Sequence, residues 1–381
     1  GADLSNASLA SVRMSATTTL TSANMSSIYA PSSDFRGVDL TGTNLTSANL
    51  DWVNFTGADL KGATLTSASM SHALFVGATF DSTTAMRGVN LTNANLAGMN
   101  FSSIDMTSST FDGAALVGAN FSTTILTGAN LNRADLTDAT FTAATINNAA
   151  VSYAKLAGTS FAGANLYNSD LRSSVTSADT SFLGADLTYT YLEDGIFTGV
   201  DFTDTTMTNV RATRASFAGA DVRGATMSGA NMTFTTWSTD TVLRSSIPVV
   251  KTVNFSGANL TSAVVNGLDF EDLTMRSVTL AGASAIGANF AGTDLAGANL
   301  TAVDLTNATM DADTILRGSV GSTTNGISMP RAILTGATLS ATNFTGVDLT
   351  QAVVASANLA STVFTNSTLN RANFSGANLT G

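Results

Sequence analysis

From Leu40 onward a large apolar residue stands at every fifth position, at Leu45, Leu50, Phe55, Leu60, Leu65, Met70, Phe75 and Phe80. A small residue precedes most of them by two places, and the recurring unit reads Ala-(Asp/Asn)-Leu-(Thr/Ser)-Gly, as at Ala58, Asp59 and Leu60. A second run keeps one phase from Leu91 to Leu171 through Phe101, Phe111, Phe121, Leu131, Phe141, Val151 and Phe161. Others go from Phe182 to Val242, Phe255 to Ile315 and Leu334 to Leu379. In extended chain, residues two apart share a face, so the Leu or Phe and the Ala two before it point one way and their neighbours the other. Five is odd, so alternation fails once per repeat. The failure is expected at the Gly or Ser beside the next Ala, where a bend is sterically cheapest. A five-residue period fits neither 3.6 nor a heptad, and Thr, Asn and Gly are poor helix formers. The pattern therefore predicts an all-β chain that bends every five residues with its large side chains inward.

These units resemble the pentapeptide-repeat family, whose consensus is A(D/N)Lxx, over nearly the whole chain. The resemblance implies a right-handed quadrilateral β-helix, a solenoid in which four pentads make one coil. On that basis roughly 17 to 19 coils, spaced by about 4.8 Å, would make a rod on the order of 80 to 90 Å long. Backbone ladders between coils and columns of Leu and Phe would hold it, each unit touching only its neighbours.

The expected organisation is a single continuous solenoid over residues 1–381, with irregular stretches near 15–19, 81–90, 172–181, 243–254 and 316–333. Three of these share a Thr-x-apolar-Arg core, at residues 84–87, 241–244 and 314–317. They are expected to be side loops. Pro248 and Pro330 cannot supply a ladder N–H and suit such excursions, and Pro31 beside Tyr29 suggests an early irregular turn. Arg244, Pro248, Arg317 and Pro330 are the candidate loop contacts for a protein partner. Family members carry insertions of this kind, and in the gyrase-protecting ones they matter for function.

Composition narrows the chemistry. Charged residues are 11% of the chain, Lys stands only at 61, 155 and 251, and the net charge is -11, which argues against direct nucleic-acid binding. No stretch has the roughly 18 apolar residues of a membrane span. There is no cysteine, hence neither disulfide nor thiolate metal site. Gly1 begins in mid-pattern without an initiator Met or a signal-peptide layout, which suggests a processed chain or a segment of a longer one. The one histidine, His72, points outward beside inward Met70 and Ala73, and supports no acid–base or nucleophilic scheme.

Carboxylates group at Glu193, Asp194, Asp201 and Asp204, at Asp269, Glu271 and Asp272, and at Asp311 and Asp313, without calcium-loop spacing. Arg211, Arg214 and Arg223 form the densest basic group, next to Asp221. Asn-x-Ser/Thr recurs, for example at Asn44, Asn54, Asn120, Asn254, Asn299 and Asn378, because the repeat is spelled that way. No catalytic residue, metal or cofactor is expected.

The function expected is structural: a non-enzymatic filament or stalk, extracellular or at the cell surface, stacking through uncapped ends at Leu4, Leu9, Phe374 and Leu379. Both termini are in phase, and an open solenoid edge invites pairing. The alternative, by analogy with some family members, is an acidic cytoplasmic rod that mimics DNA and binds a type II topoisomerase. A minor alternative is an ice-binding surface, which the rows at 20-residue steps oppose: Thr92, Asp112, Asn132, Ser152 and Arg172 in one, Ala97, Val117, Thr137 and Ala157 in another.

Overall fold

The computed structural model describes residues 1–244, 252–318 and 327–381. The local rule is a tight turn in every pentad. The carbonyl of the large apolar residue accepts the N–H three residues on, as Leu40 does from Thr43 at 3.0 Å and Leu45 from Ala48 at 3.1 Å. The residue two past the apolar one lies at positive φ, 64° at Gly42 and 55° at Ser47, which makes the turn type II. The bend thus falls at the Gly or Ser, as expected. Bulky residues also take that conformation, Trp52 at φ 62° and Tyr153 at φ 60°.

Between turns the Asp or Asn position pairs in parallel with the residue 20 further on: Asn24 with Asn44, Asn49 with Ser69, Asn54 with Leu74, Asp59 with Thr79. Each 20-residue coil therefore has four short sides. The chain forms two compact units, Gly1–Tyr191 and Leu192–Gly381. The same ladder runs within the second, for example from Asn259 to Thr279 to Asn299.

Burial follows the pentad. In the first unit Phe101, Phe121, Phe141, Phe161 and Phe182 form one stacked column, with centroids 5.1, 4.8, 5.0 and 4.9 Å apart. Each ring covers the next, so no single coil has a complete core. Some small positions carry a hydroxyl instead of Ala. Thr124, Thr159 and Ser169 are buried and donate to the carbonyls of Phe101, Leu136 and Ile146 at 2.7, 2.8 and 2.7 Å. Thr342 is buried without such a partner among the described residues. Thr124→Val is therefore expected to lower stability by about 1 kcal/mol, whereas Thr342→Val is expected to be neutral or stabilising. Urea denaturation of the two variants checks this; equal losses would contradict it.

Among the described residues the spacing grows from five to six at five places, each with the same sequence pattern: Ser15 and Thr18, Asp81 and Thr84, Ser177 and Thr180, Ser238 and Thr241, Asp311 and Thr314. The Thr N–H closes a turn onto the first residue's carbonyl, and no positive φ is needed. In four of them the Thr Oγ1 accepts the first residue's own N–H, at 3.2 Å for Asp81 and 3.1 Å for Ser177. The same Oγ1 donates to a carbonyl 24 residues back, Leu60 at 3.2 Å and Leu156 at 2.7 Å. The first residue's side chain meanwhile accepts a glycine N–H of the preceding coil, Gly62 at 3.2 Å and Gly158 at 3.0 Å. One extra residue is thus absorbed with its polar groups satisfied.

This box corrects the sequence reading in three places. Val242 and Ile315 do not close their apolar runs: the phase has already slipped, so both face outward while Leu243 and Leu316 are buried. Residues 84–87 are not a side loop, because Ala85 bridges Thr64 and Gly88 bonds Thr107 at 2.9 Å. Regular pairing is described as far as Arg244 and Arg317. Arg244 pairs antiparallel with Thr252, and Val253 N–H bonds Leu243 O and Ile327 N–H bonds Leu316 O, each at 3.1 Å. Pro330 and Pro31 belong to ordinary corners, where fixed φ suits the first turn position and no ladder N–H is lost. Their carbonyls accept ladder bonds from Ala302 and Ser11 at 2.8 and 2.9 Å. Pro248 lies outside the described residues.

Candidate functional site

The two candidate surfaces are the terminal coils and the loop bases. Leu4, Leu9 and Phe374, inward by phase, are only half-buried, and Leu379 is 60% exposed. The apolar column is therefore uncovered at these coils, in contrast to the interior ones.

At the first loop base Arg244 reaches Asp269 Oδ2 at 2.9 Å and Glu271 Oε2 at 2.5 Å, with Asp272 at 3.8 Å. That acidic group is thus anchored to the loop and is not left open to bind a cation. Arg317, at the same register of the second loop base, lines a cleft of about 340 Å³ with Asp313, Leu316, Asn343 and Thr345. Arg244 and Arg317 thus occupy like places at the bases of two separate loops.

The polar rows have a local purpose. In Asn-x-Thr the Asn Oδ1 accepts both the backbone N–H and the hydroxyl of the Thr two residues on, at 3.1 and 2.6 Å for Asn44 and Thr46. Asn259 with Thr261 and Asn299 with Thr301 repeat this. The repeat's sequons are turn-forming units, and at Thr46, Thr261 and Thr301 the hydroxyl is committed to the Asn.

His72 is sandwiched rather than free. Its ring stacks on Trp52 at 3.9 Å and 5°, with Asn93 Nδ2 3.5 Å from Nε2. No nucleophile or carboxylate joins this pair, and among the described residues no His, Asp or Glu group has metal-ligating geometry. Arg214 pairs with Asp194 at 2.7 Å, and Arg223 pairs with Asp221, so two of the three arginines of the basic group are neutralised by carboxylates beside them. Among the described residues no helix is long and apolar enough to cross a membrane.

Carboxylates behave likewise. Arg36 donates to both oxygens of Asp34 at 2.8 and 2.6 Å and holds its pKa at about 2, against a smaller opposing effect of desolvation. A carboxyl whose folded pKa is depressed adds stability above its unfolded value and loses it as pH falls through the folded one. The Asp34 contribution, below about 1 kcal/mol at this exposed pair, is expected to fade between about pH 4 and pH 2. An NMR titration placing the Asp34 midpoint near the ordinary value would show that Arg36 does not hold it.

Sequence reasoning missed the six-residue box and the Trp52 and His72 stack. The first was visible as Ser/Asp-x-x-Thr at each phase slip. The second needs the 20-residue coil, because it joins corner positions one coil apart.

No curated protein matches the chain. Solved structures similar to it include HetL, a pentapeptide repeat protein involved in heterocyst differentiation regulation in the cyanobacterium Nostoc, at 23% identity over 65% of this chain and 88% of that one, with a TM-score of 0.31. A pentapeptide repeat protein of the Arabidopsis thaliana thylakoid lumen is 29% identical over 32% of this chain and 66% of its own, with a TM-score of 0.18. Full-length QnrB1, a plasmid-mediated fluoroquinolone resistance protein, is 14% identical over 59% of this chain and 91% of its own, with a TM-score of 0.20. The family model for pentapeptide repeats matches residues 23–62, 44–81, 86–122, 125–152, 146–175, 196–233, 275–311, 321–351 and 348–381, and with the five-residue turns and 20-residue ladder in place the chain belongs to the pentapeptide-repeat family.

Proposed function

We propose that the protein is a non-enzymatic assembly protein, a right-handed quadrilateral solenoid continuous over residues 1–381 that stacks end to end into an extracellular or surface filament or stalk. The observation that carries this is the inter-coil ladder with its stacked apolar column, which presents the same edge at every coil and can be extended by any further coil of the same kind. A coil edge carries ladder N–H and C=O groups at fixed spacing, and its best complement is another coil of the same kind. A second copy supplies one, and a head-to-tail contact that does not close propagates. A protein partner is proposed to bind at the side loops, with Arg244, Arg317 and Pro330 as its described contacts.

The DNA-mimic alternative calls for an unbroken row of carboxylates down one face. In the first unit Asp105 and Asp186 lie on one side, Asp170 on the next, Asp135 on the third, and Asp39 and Asp59 on the fourth. Several hold cations there, Asp135 from Lys155 at 3.0 Å and Asp170 from Arg172 at 2.6 Å. That distribution favours the assembly reading.

Negative-stain electron microscopy and sedimentation of the purified chain test it. Thin fibres that shorten or vanish in Leu4→Asp and Leu379→Asp variants are expected. Particles that stay monomeric at millimolar concentration would overturn the reading, and topoisomerase inhibition by those particles would establish the alternative.

A further inference from the structure

The inter-coil ladder of the first unit is regular except along one half-turn. Elsewhere the apolar residue and the residue two past it donate to the next coil, as Met70 and His72 do to Asn90 and Thr92 at 2.8 Å each. The Asp/Asn position donates back, as Asn90 does to Ala68 at 3.0 Å. Among the described residues the N–H groups of Gly77, Phe80, Met86, Asn100 and Asp105 make none of these bonds. Thr79 is bridged only to Asp59, and Ala85 only to Thr64. The gap therefore spans two adjacent sides, between residues 77–86 of one coil and 97–105 of the next.

Packing reports the same opening independently. Phe80 is 8% and Met99 5% exposed, where Phe75 and Phe101 are fully buried. The rings of Phe80 and Phe101 sit 5.4 Å apart and tilted by 33°, against 4.8 Å and 4° for Phe121 and Phe141. A cleft of about 360 Å³ lies there, lined by Gly77, Phe80, Gly98, Met99 and Asn100 among others. On the other two sides the ladder holds, lengthening only to 3.2 Å at Phe75 and Asn95. Across the mouth, Arg87 Nη1 meets Asp105 Oδ2 at 3.3 Å.

The position has a meaning within the chain. Residues 84–87 share Thr-x-apolar-Arg with the two places where loops leave the second unit. There too, among the described residues, Val242 is bridged only to Asp221 and Ile315 only to Asp294. The first unit carries the same slip at Asp81 and Thr84.

We propose that this half-turn is a joint, hinged on the two sides that stay bonded and strapped by Arg87 and Asp105, at which the first unit opens before it unfolds. Unpaired backbone groups facing a cleft are solvated already, so opening there breaks few bonds beyond the strap. The interaction is a surface ion pair, so salt weakens it.

Hydrogen exchange by mass spectrometry on the full chain tests the joint. Peptides covering 76–87 and 97–106 are expected to exchange at least tenfold faster than those covering 116–127 and 136–147. Raising NaCl from 50 mM to 1 M is expected to speed them further in the wild type but not in Arg87→Ala or Asp105→Asn, which start faster. Uniform protection across all four peptides overturns the joint. Fast exchange that ignores both salt and the two substitutions overturns the strap. The salt arm uses only the wild type and survives a variant that fails to fold.

Discussion

Phe121→Asp is expected to destroy the middle of the first unit. Phe121 is fully buried, stacked between Phe101 at 5.1 Å and Phe141 at 4.8 Å, with Phe111 edge-on at 5.8 Å. Truncation alone, as Phe121→Ala, is expected to cost about 3–5 kcal/mol. The carboxylate adds a desolvation penalty of several kcal/mol that no cation in the column offsets, so it either protonates or drags water into the stack. Because coils touch only their neighbours, the damage is expected to be local. Hydrogen exchange should show protection lost across residues 101–141 while the ladder near Asn44 persists, and urea denaturation should lose its single transition. A variant within about 1 kcal/mol of wild type would mean that the rings do not stack as described.

The same neighbour dependence explains how much of the fold was legible beforehand. The period of five, the inward Leu, Phe and Ala, and the bend at Gly42 or Ser47 follow from steric rules that act within a few residues. The ladder step of 20 does not, because nothing in a single pentad counts its neighbours, and it entered only through the family resemblance. Phase slips were legible as slips but not as structures. At Val242 the run of fives continues numerically while the chain has already taken its extra residue at Ser238 and Thr241, so an outward Val was read as core. Proline misled for a related reason. A missing N–H was taken to mean departure from the ladder, yet at Pro31 and Pro330 the corner uses no ladder N–H.

The candidate surfaces fared differently. The inward phase of Leu4, Leu9, Phe374 and Leu379 could be anticipated from the period alone. The anchoring of Arg244 by Asp269 and Glu271 could not, because those residues meet only after the loop and one further coil are in place. The joint near Phe80 needed both the slip and the missing bonds around it.

Gly195→Ala gives the sharpest separation between repeat consensus and packing. Gly195 stands two places before Phe197, where the repeat prefers Ala and where Ala215 sits fully buried before Phe217. Consensus therefore predicts stabilisation, reinforced by the lower backbone freedom of Ala in the unfolded chain. The structure predicts the reverse. A Cβ on Gly195 would lie 2.4 Å from Phe197 Cε2, 2.7 Å from its Cζ and 3.0 Å from the Leu192 carbonyl oxygen. The Phe197 ring has folded back over the small position, packing edge-on to Phe202 at 5.7 Å and flat on Phe217 at 5.6 Å. It cannot move aside without disturbing both. Gly195→Ala is thus expected to cost about 1–3 kcal/mol by overpacking. Phe197→Leu should relieve the clash, leaving the double variant more stable than Gly195→Ala alone, with a favourable coupling in the double-mutant cycle. A stabilised Gly195→Ala, or additive effects in the cycle, would show that the ring finds another rotamer at no cost and that the consensus residue is simply absent there by drift.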